Sequence, residues 1–122
     1  MSTPRRFIDT LQGVAGLDTD AGLLYTGSRE SIYRPVLRKF IEFYGRGWSG
    51  LKQAASPQEL QHLAHTLVGS ASTVGASDIA DRARELERAC QAGVPFAELH
   101  RLARDLNDEL FGLTSELERR MG

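Results

Sequence analysis

Between Ser56 and Gly75, Leu60, Leu63, Ala64, Leu67, Ala71 and Val74 recur at three- and four-residue steps. That spacing puts all six side chains on one stripe of an α-helix and leaves the opposite face polar. The stretch also carries its own boundaries. Ser56 suits an N-cap, Pro57 suits the first helical position, and Glu59 completes a capping box. Gly75 suits a left-handed stop. A helix with one apolar stripe needs other apolar faces to cover it, so the rest of the chain must supply them.

The rest of the chain supplies more helices. No strand-like alternation of useful length occurs, whereas helical periodicity recurs. A first long helix is expected from Ser28 or Ser31, carrying Ile32, Val36, Leu37, Phe40, Ile41, Phe43 and Tyr44. Pro35 falls inside that span and is mild only in a first turn. Gly45, Gly47 and Gly50 loosen its end, where Trp48 folds back on the bundle. A third long helix runs from Ser77 or Asp78 to Ala92, with Ile79, Ala83, Leu86 and Cys90 inward, and Gly93 ends it. Pro95 opens the fourth, whose seam is Leu99, Leu102, Ala103, Leu106, Leu110, Leu113 and Leu117. Phe7, Ile8 and Leu11 form a short helix ahead of these, and Leu23 and Leu24 add a turn. Short connections between long amphipathic helices imply antiparallel neighbours. The expected fold is all-α: one domain over residues 1–122, an antiparallel up-down four-helix bundle with a short extra N-terminal helix.

Charge and cysteine content narrow the function. There are 15 basic and 16 acidic side chains, for a formal net charge of −1. That balance argues against a dominant nucleic-acid or anionic-membrane role. Cys90 is the only cysteine, so no intramolecular disulfide can form, which fits a reducing compartment. In register with Ile79, Ala83 and Leu86 it reads first as a small buried hydrophobe and second as a reactive thiol. No apolar run reaches the roughly 18 residues of a membrane helix. Arg5 and Arg6 are not followed by the apolar core of a signal peptide. The expected location is the cytoplasm.

His65 stands out on the polar face of the Ser56–Gly75 helix. At about 100° per residue it lies roughly 140° from the centre of the apolar stripe. Gly69 follows one turn later on the same outward face. A glycine inside a helix costs about 1 kcal/mol relative to alanine, and its use here is to leave bare space beside the imidazole. An exposed imidazole near neutral pH offers one ring nitrogen as a lone-pair nucleophile. Gln61 and Ser72 share the outward face and could meet a phosphoryl group, a partner or only water. His62, about 60° around the helix from His65, is a rival acceptor without a glycine at i+4, and a neighbour that can tune His65. Glu59 and His62 form a single Glu-x-x-His; Ala97 precedes His100 at that offset, so no second copy exists and no metal site is expected. The charges of the last helix read as a solvated face with i,i+4 pairs, or alternatively as a dimerisation surface.

These residues resemble the histidine-containing phosphotransfer (HPt) domains of multistep two-component signalling. The family pattern is roughly His-x-Leu-Lys-Gly-Ser/Ala-Ala, followed some five residues on by Gly-Ala. His65, Leu67, Gly69, Ser70, Ala71, Gly75 and Ala76 fall in that register, and Leu86-Glu87 matches a pair common on the next helix. Gly16-Leu17-Asp18, Gly22-Leu23 and the run Tyr33 to Tyr44 look like the family's first segment and first long helix. The resemblance implies a four-helix bundle in which His65 is the phosphoacceptor; attack through the outer nitrogen, Nε2, is expected, although the sequence does not show which nitrogen reacts. It implies a phosphorelay intermediate that takes a phosphoryl group from a receiver-domain aspartate or a sensor kinase and passes it to a response-regulator aspartate. The partners are then receiver domains of response regulators and hybrid sensor kinases, docking on Gln61, His62, Val68, Gly69 and Ser72. The domain itself is expected to be a monomer without cofactor or autokinase activity, because the receiver supplies the Mg²⁺. One departure is Val68, where the family usually has a lysine that helps to balance phosphoryl charge. Two alternatives stay open: an HPt-like module that docks without transferring, and a phosphoacceptor domain of a larger sensor kinase.

Overall fold

The computed structural model describes residues 6–45 and 47–121; Arg5 lies outside them. A 3₁₀ turn, Phe7–Leu11, is followed by α1 (Thr19–Tyr25), α2 (Glu30–Tyr44), α3 (Ser49–Gln53), α4 (Pro57–Val74), α5 (Ser77–Gln91) and α6 (Phe96–Met121). The long helices α2, α4, α5 and α6 form the bundle, as the apolar periodicity requires. The extra N-terminal element is 3₁₀ rather than α, and two short helices, α1 and α3, fill the corners.

The caps explain why α4 holds its place. The Ser56 hydroxyl accepts the Glu59 N–H at 3.2 Å, and the Glu59 carboxylate reaches past the N-cap to the N–H of Ala55 at 2.8 Å. At the other end Gly75 has φ +79°, and Ala76 N–H closes on the Ala71 carbonyl at 2.8 Å. Gly75 is required twice over, because a Cβ there would stand 2.0 Å from the Asp18 carbonyl oxygen. That close approach lets Asp18 N–H bond the Gly75 carbonyl at 2.7 Å. The Tyr33 hydroxyl, fully buried, donates to the Val74 carbonyl at 2.7 Å. The last carbonyls of α4 are thus satisfied by α2 and by the segment leading into α1.

The core follows the expected stripes with corrections. On α4, Leu60, Ala64, Leu67, Ala71 and Val74 are buried and Leu63 is half-buried. On α6, Leu99, Ala103, Leu106, Leu110, Leu113 and Leu117 are buried, with Leu102 half-buried. Asn107, Thr114 and Met121 join that seam. Asn107 is there for a backbone reason: its side-chain oxygen takes the N–H of Trp48 at 2.5 Å. Trp48 does fold back, its ring 5.3 Å from that of Tyr44 and nearly perpendicular to it.

The expected face of α2 is wrong in two places. Ile32 and Phe43 are 41% and 66% exposed, and the buried stripe is Tyr33, Leu37, Phe40, Ile41 and Tyr44. That set keeps a tighter i, i+4, i+7, i+8, i+11 spacing, from which Ile32 and Phe43 stand one residue off. Neither serine caps the helix. The N-cap is Arg29, without a side-chain bond, and Ser28 has φ +63°. Glu30 at the first helical position instead accepts the N–H of Ile8 at 2.8 Å and pairs with Arg6 at 3.2 Å, pinning the N-terminal turn to α2. Pro35 lies in the second turn, where the missing N–H leaves the Ser31 carbonyl without its helical donor. Leu24 is 76% exposed; the residue of α1 that enters the core is Gly22, under the Tyr33 ring.

Candidate functional site

The connection between α4 and α5 is two residues, so the helices return antiparallel and side by side. This hairpin carries the site. The His65 side chain is 73% exposed, on the face of α4 opposite the core. Its ring is not free. Nδ1 lies 2.7 Å from Oε2 of Glu87 on α5. An ionised carboxylate has no proton to give, so Nδ1 carries the hydrogen and donates it. In the neutral ring Nε2 then holds the lone pair, directed away from Glu87. Glu87 is anchored in turn by its helix, since Leu86, its neighbour, is buried in the core.

The predicted docking residues divide into two groups. Gln61 and His62 line one shallow depression with His65 and Glu87, together with Gln58. Val68, Gly69 and Ser72 lie on the other side of His65, toward the end of α4. Val68 is half-buried and touches the core. Gly69 is exposed, and a Cβ built on it would find no atom within 4 Å. The bare space inferred from the sequence is therefore present. Ser72 is half-buried in a separate depression with Tyr25, Asp81 and Arg84.

Sequence reasoning did not find Glu87 as a contact of His65. Its only signal was the Leu86-Glu87 pair; the distance along the chain, 22 residues, hides the contact. It also missed the groove on the other flank of α4, where Val36, Phe40 and the exposed Phe43 stand over Thr66, Ser70 and Thr73. The Tyr44 hydroxyl donates to the Ser70 hydroxyl at 3.1 Å and fixes that flank.

The other reactive residues are accounted for structurally. Cys90 is buried, and burial, with the charge of Glu87 added, pushes its thiol above the ordinary range. A thiol so held is a poor nucleophile. The half-buried His100 bonds through Nε2 to the Ala54 carbonyl at 3.0 Å. The charges of α6 largely pair within the helix, Arg101 with Glu98 and Asp105, and Arg119 and Arg120 with Glu116. Among the described residues no group of three or more His, Cys, Asp or Glu side chains is gathered as for a metal ion. No helix among them is long and apolar enough to cross a membrane.

No curated protein and no solved structure matches the chain. A family model does, the one described as Hpt domain, over residues 36–120. The match begins within α2 and runs to within one residue of the end of α6, so it takes in the whole α4–α5 hairpin and leaves out the N-terminal turn and α1. An all-helical bundle, an exposed histidine on its second long helix and a family match over more than half of the sequence agree: the chain belongs to the Hpt domain family, the phosphotransfer-type modules of two-component signalling that work with receiver domains.

Proposed function

We propose that the protein is a phosphorelay intermediate in which Nε2 of His65 carries the phosphoryl group between receiver-domain aspartates. The observation that carries this reading is the 2.7 Å bond from His65 Nδ1 to Glu87. In the neutral ring it leaves the lone pair on the outer nitrogen, on a side chain open to solvent, where a large partner can reach it.

In transfer from an aspartyl phosphate, the Nε2 lone pair attacks phosphorus. The P–N bond forms as the bond to the aspartyl oxygen breaks, and its electron pair leaves on the carboxylate. The hydrogen on Nδ1 stays where it is, so the phosphorylated ring is an imidazolium. Its new positive charge develops beside the Glu87 carboxylate, which is already in place. The return step is the mirror image. A second aspartate attacks phosphorus, and the ring departs as neutral imidazole, a good leaving group because Nδ1 never lost its proton. No general base is needed in either direction, and the receiver brings the Mg²⁺. The work of this chain is to present the nitrogen on a rigid helix and to leave room for the partner at Gly69.

The test is incubation of the protein with phosphorylated receiver domains and identification of the labelled residue. Acid-labile, base-stable phosphate on residue 65 is expected. Tight receiver binding with no label would instead make the protein a docking module, and label on another residue would overturn the assignment.

A further inference from the structure

Apart from the ring itself, a phosphoryl group on His65 would meet no lysine or arginine on its own helix. From Pro57 to Val74, α4 contains neither lysine nor arginine, and the group bonded to the ring is a carboxylate. A phosphoryl group brings nearly two negative charges. Any lysine or arginine of this chain that adds to the charge of the ring has to come from a neighbouring helix.

The His65–Glu87 contact sets the register of the antiparallel hairpin. One turn further along α4 and one turn back along α5, Val68 stands level with Arg84. Arg84 is three residues before Glu87 and about 60° around α5 from it, so both line the edge that faces α4. Arg84 is half-buried there and shares a depression with Ser72 of α4. Its guanidinium holds Asp81 at 3.0 Å in a pair whose side chains are 43% and 70% exposed. Such a pair contributes little and exchanges readily. The other cations are worse placed. Arg88 turns about 100° from Glu87, toward solvent, and is exposed. Lys39 borders the groove with Thr66 and Thr73, on the flank away from the helix that holds the ring. Arg82 extends toward a different neighbour, reaching Glu109 of α6 at 2.6 Å.

We propose that Arg84 is the phosphoryl-binding cation of this site. When His65 is phosphorylated, the guanidinium leaves Asp81, swings along the α5 edge toward Glu87, and donates N–H bonds to the phosphoryl oxygens. A planar guanidinium suits that task. The inference rests on the reading of His65 as the phosphoryl carrier.

The experiment loads the imidazole chemically with potassium phosphoramidate, from which ammonia leaves as the new P–N bond forms, so no receiver is involved. The ³¹P resonance of phosphohistidine 65 reports its half-life and its titration. Arg84→Gln is expected to shorten the half-life about threefold and to raise the phosphoryl titration midpoint by about half a unit. Arg84→Lys should restore most of both. The differences should fade at 1 M salt, where the Debye length is about 3 Å. An Arg84→Gln protein indistinguishable from wild type overturns the proposal, as does Arg88→Gln producing the change instead. The two readings fail separately. Receivers that never label residue 65 would remove the relay and leave the chemically loaded result standing, whereas normal labelling with no effect of Arg84→Gln would remove only the cation.

Discussion

Glu87 and His65, 22 residues apart in sequence, meet across the α4–α5 hairpin at 2.7 Å, through the ring nitrogen that does not have to react. The arrangement separates two contributions, orientation and charge. Glu87→Gln keeps an acceptor for the Nδ1 hydrogen and loses the charge; Glu87→Ala loses both. The His65 side chain is open to water and Glu87 is half-buried, so the pair is partly screened and each variant should melt within about 1 kcal/mol of wild type. Labelling of His65 by a phosphorylated receiver should slow in both, by roughly tenfold in Glu87→Ala, which corresponds to about 1.4 kcal/mol. In Glu87→Gln the ¹⁵N shifts of the ring should still show hydrogen on Nδ1. Equal rates in all three proteins would mean that Glu87 is a bystander.

The acceptor itself is tested by exchanging the two neighbouring histidines. Both are exposed on α4 and both line the same depression. Among the described residues, His65 has a partner that holds its ring and His62 has none. His65→Gln should abolish labelling with helicity and melting nearly unchanged, since exposed substitutions are usually within about 0.5 kcal/mol. His62→Gln should keep most of the label. The opposite pattern would transfer the role to His62.

Much of this was legible in the sequence, and the parts that were not have physical causes. The α4 stripe could be read because its cap residues and its glycine stop agree with its periodicity. Ile32 and Phe43 misled because apolar residues also occur on exposed faces. The helix that holds them turns instead on Tyr33, whose hydroxyl needs the Val74 carbonyl. The start of α2 was misplaced because serine suggests a cap, while here Glu30 is used by a distant N–H. His65 and Gly69 are local features of one helix and could be placed by angle. Glu87 and Arg84 belong to the site only through the register of two helices, which no local pattern encodes.

Alkaline pH should expose the two buried phenols. Burial, with the charge of Asp18 added, pushes Tyr33 above its ordinary range; burial raises Tyr44, against a smaller opposite effect of its bond to Ser70. Both folded pKa values therefore exceed the unfolded value of about 10. The folded state keeps its protons where the unfolded chain gives them up. Stability is complete below about pH 10 and falls as pH rises above it. Melting temperatures measured from pH 8 to 12 should drop beyond 10, and less steeply in Tyr44→Phe. A flat profile would contradict the burial argument.

Gly69 offers a separation of stability from function. Its φ is not in the left-handed region and a Cβ would touch nothing within 4 Å. Gly69→Ala should stabilise the protein by about 1 kcal/mol through helix propensity alone. Gly69→Gln should hold or slightly raise stability yet weaken receiver docking or transfer, because the longer side chain occupies the bare space beside His65. Thermal melts and a receiver-binding titration decide. Unimpaired transfer in Gly69→Gln would show that the partner does not use this space.

Val68→Lys places a cation on α4 itself, level with Arg84. Val68 is half-buried against the core, so the change sacrifices some apolar contact; a lysine stem can lie along the helix and bring its ammonium to water beside His65. Stability should fall by no more than about 1 kcal/mol. A charge that close should stabilise the dianionic phosphoryl group by about 1 kcal/mol at an exposed site. Transfer rate or phosphohistidine lifetime should rise modestly in a protein that is already a relay. If the native protein docks without transferring, label should instead emerge from almost none. The gain should also depend on Arg84, because two cations serving one anion are not additive. Val68→Lys should therefore help more in an Arg84→Gln protein than in wild type. A time course of label on the four proteins with one receiver measures both effects. A folded, receiver-binding Val68→Lys protein that is less phosphorylated than wild type would make valine a partner contact and end the charge argument at this position.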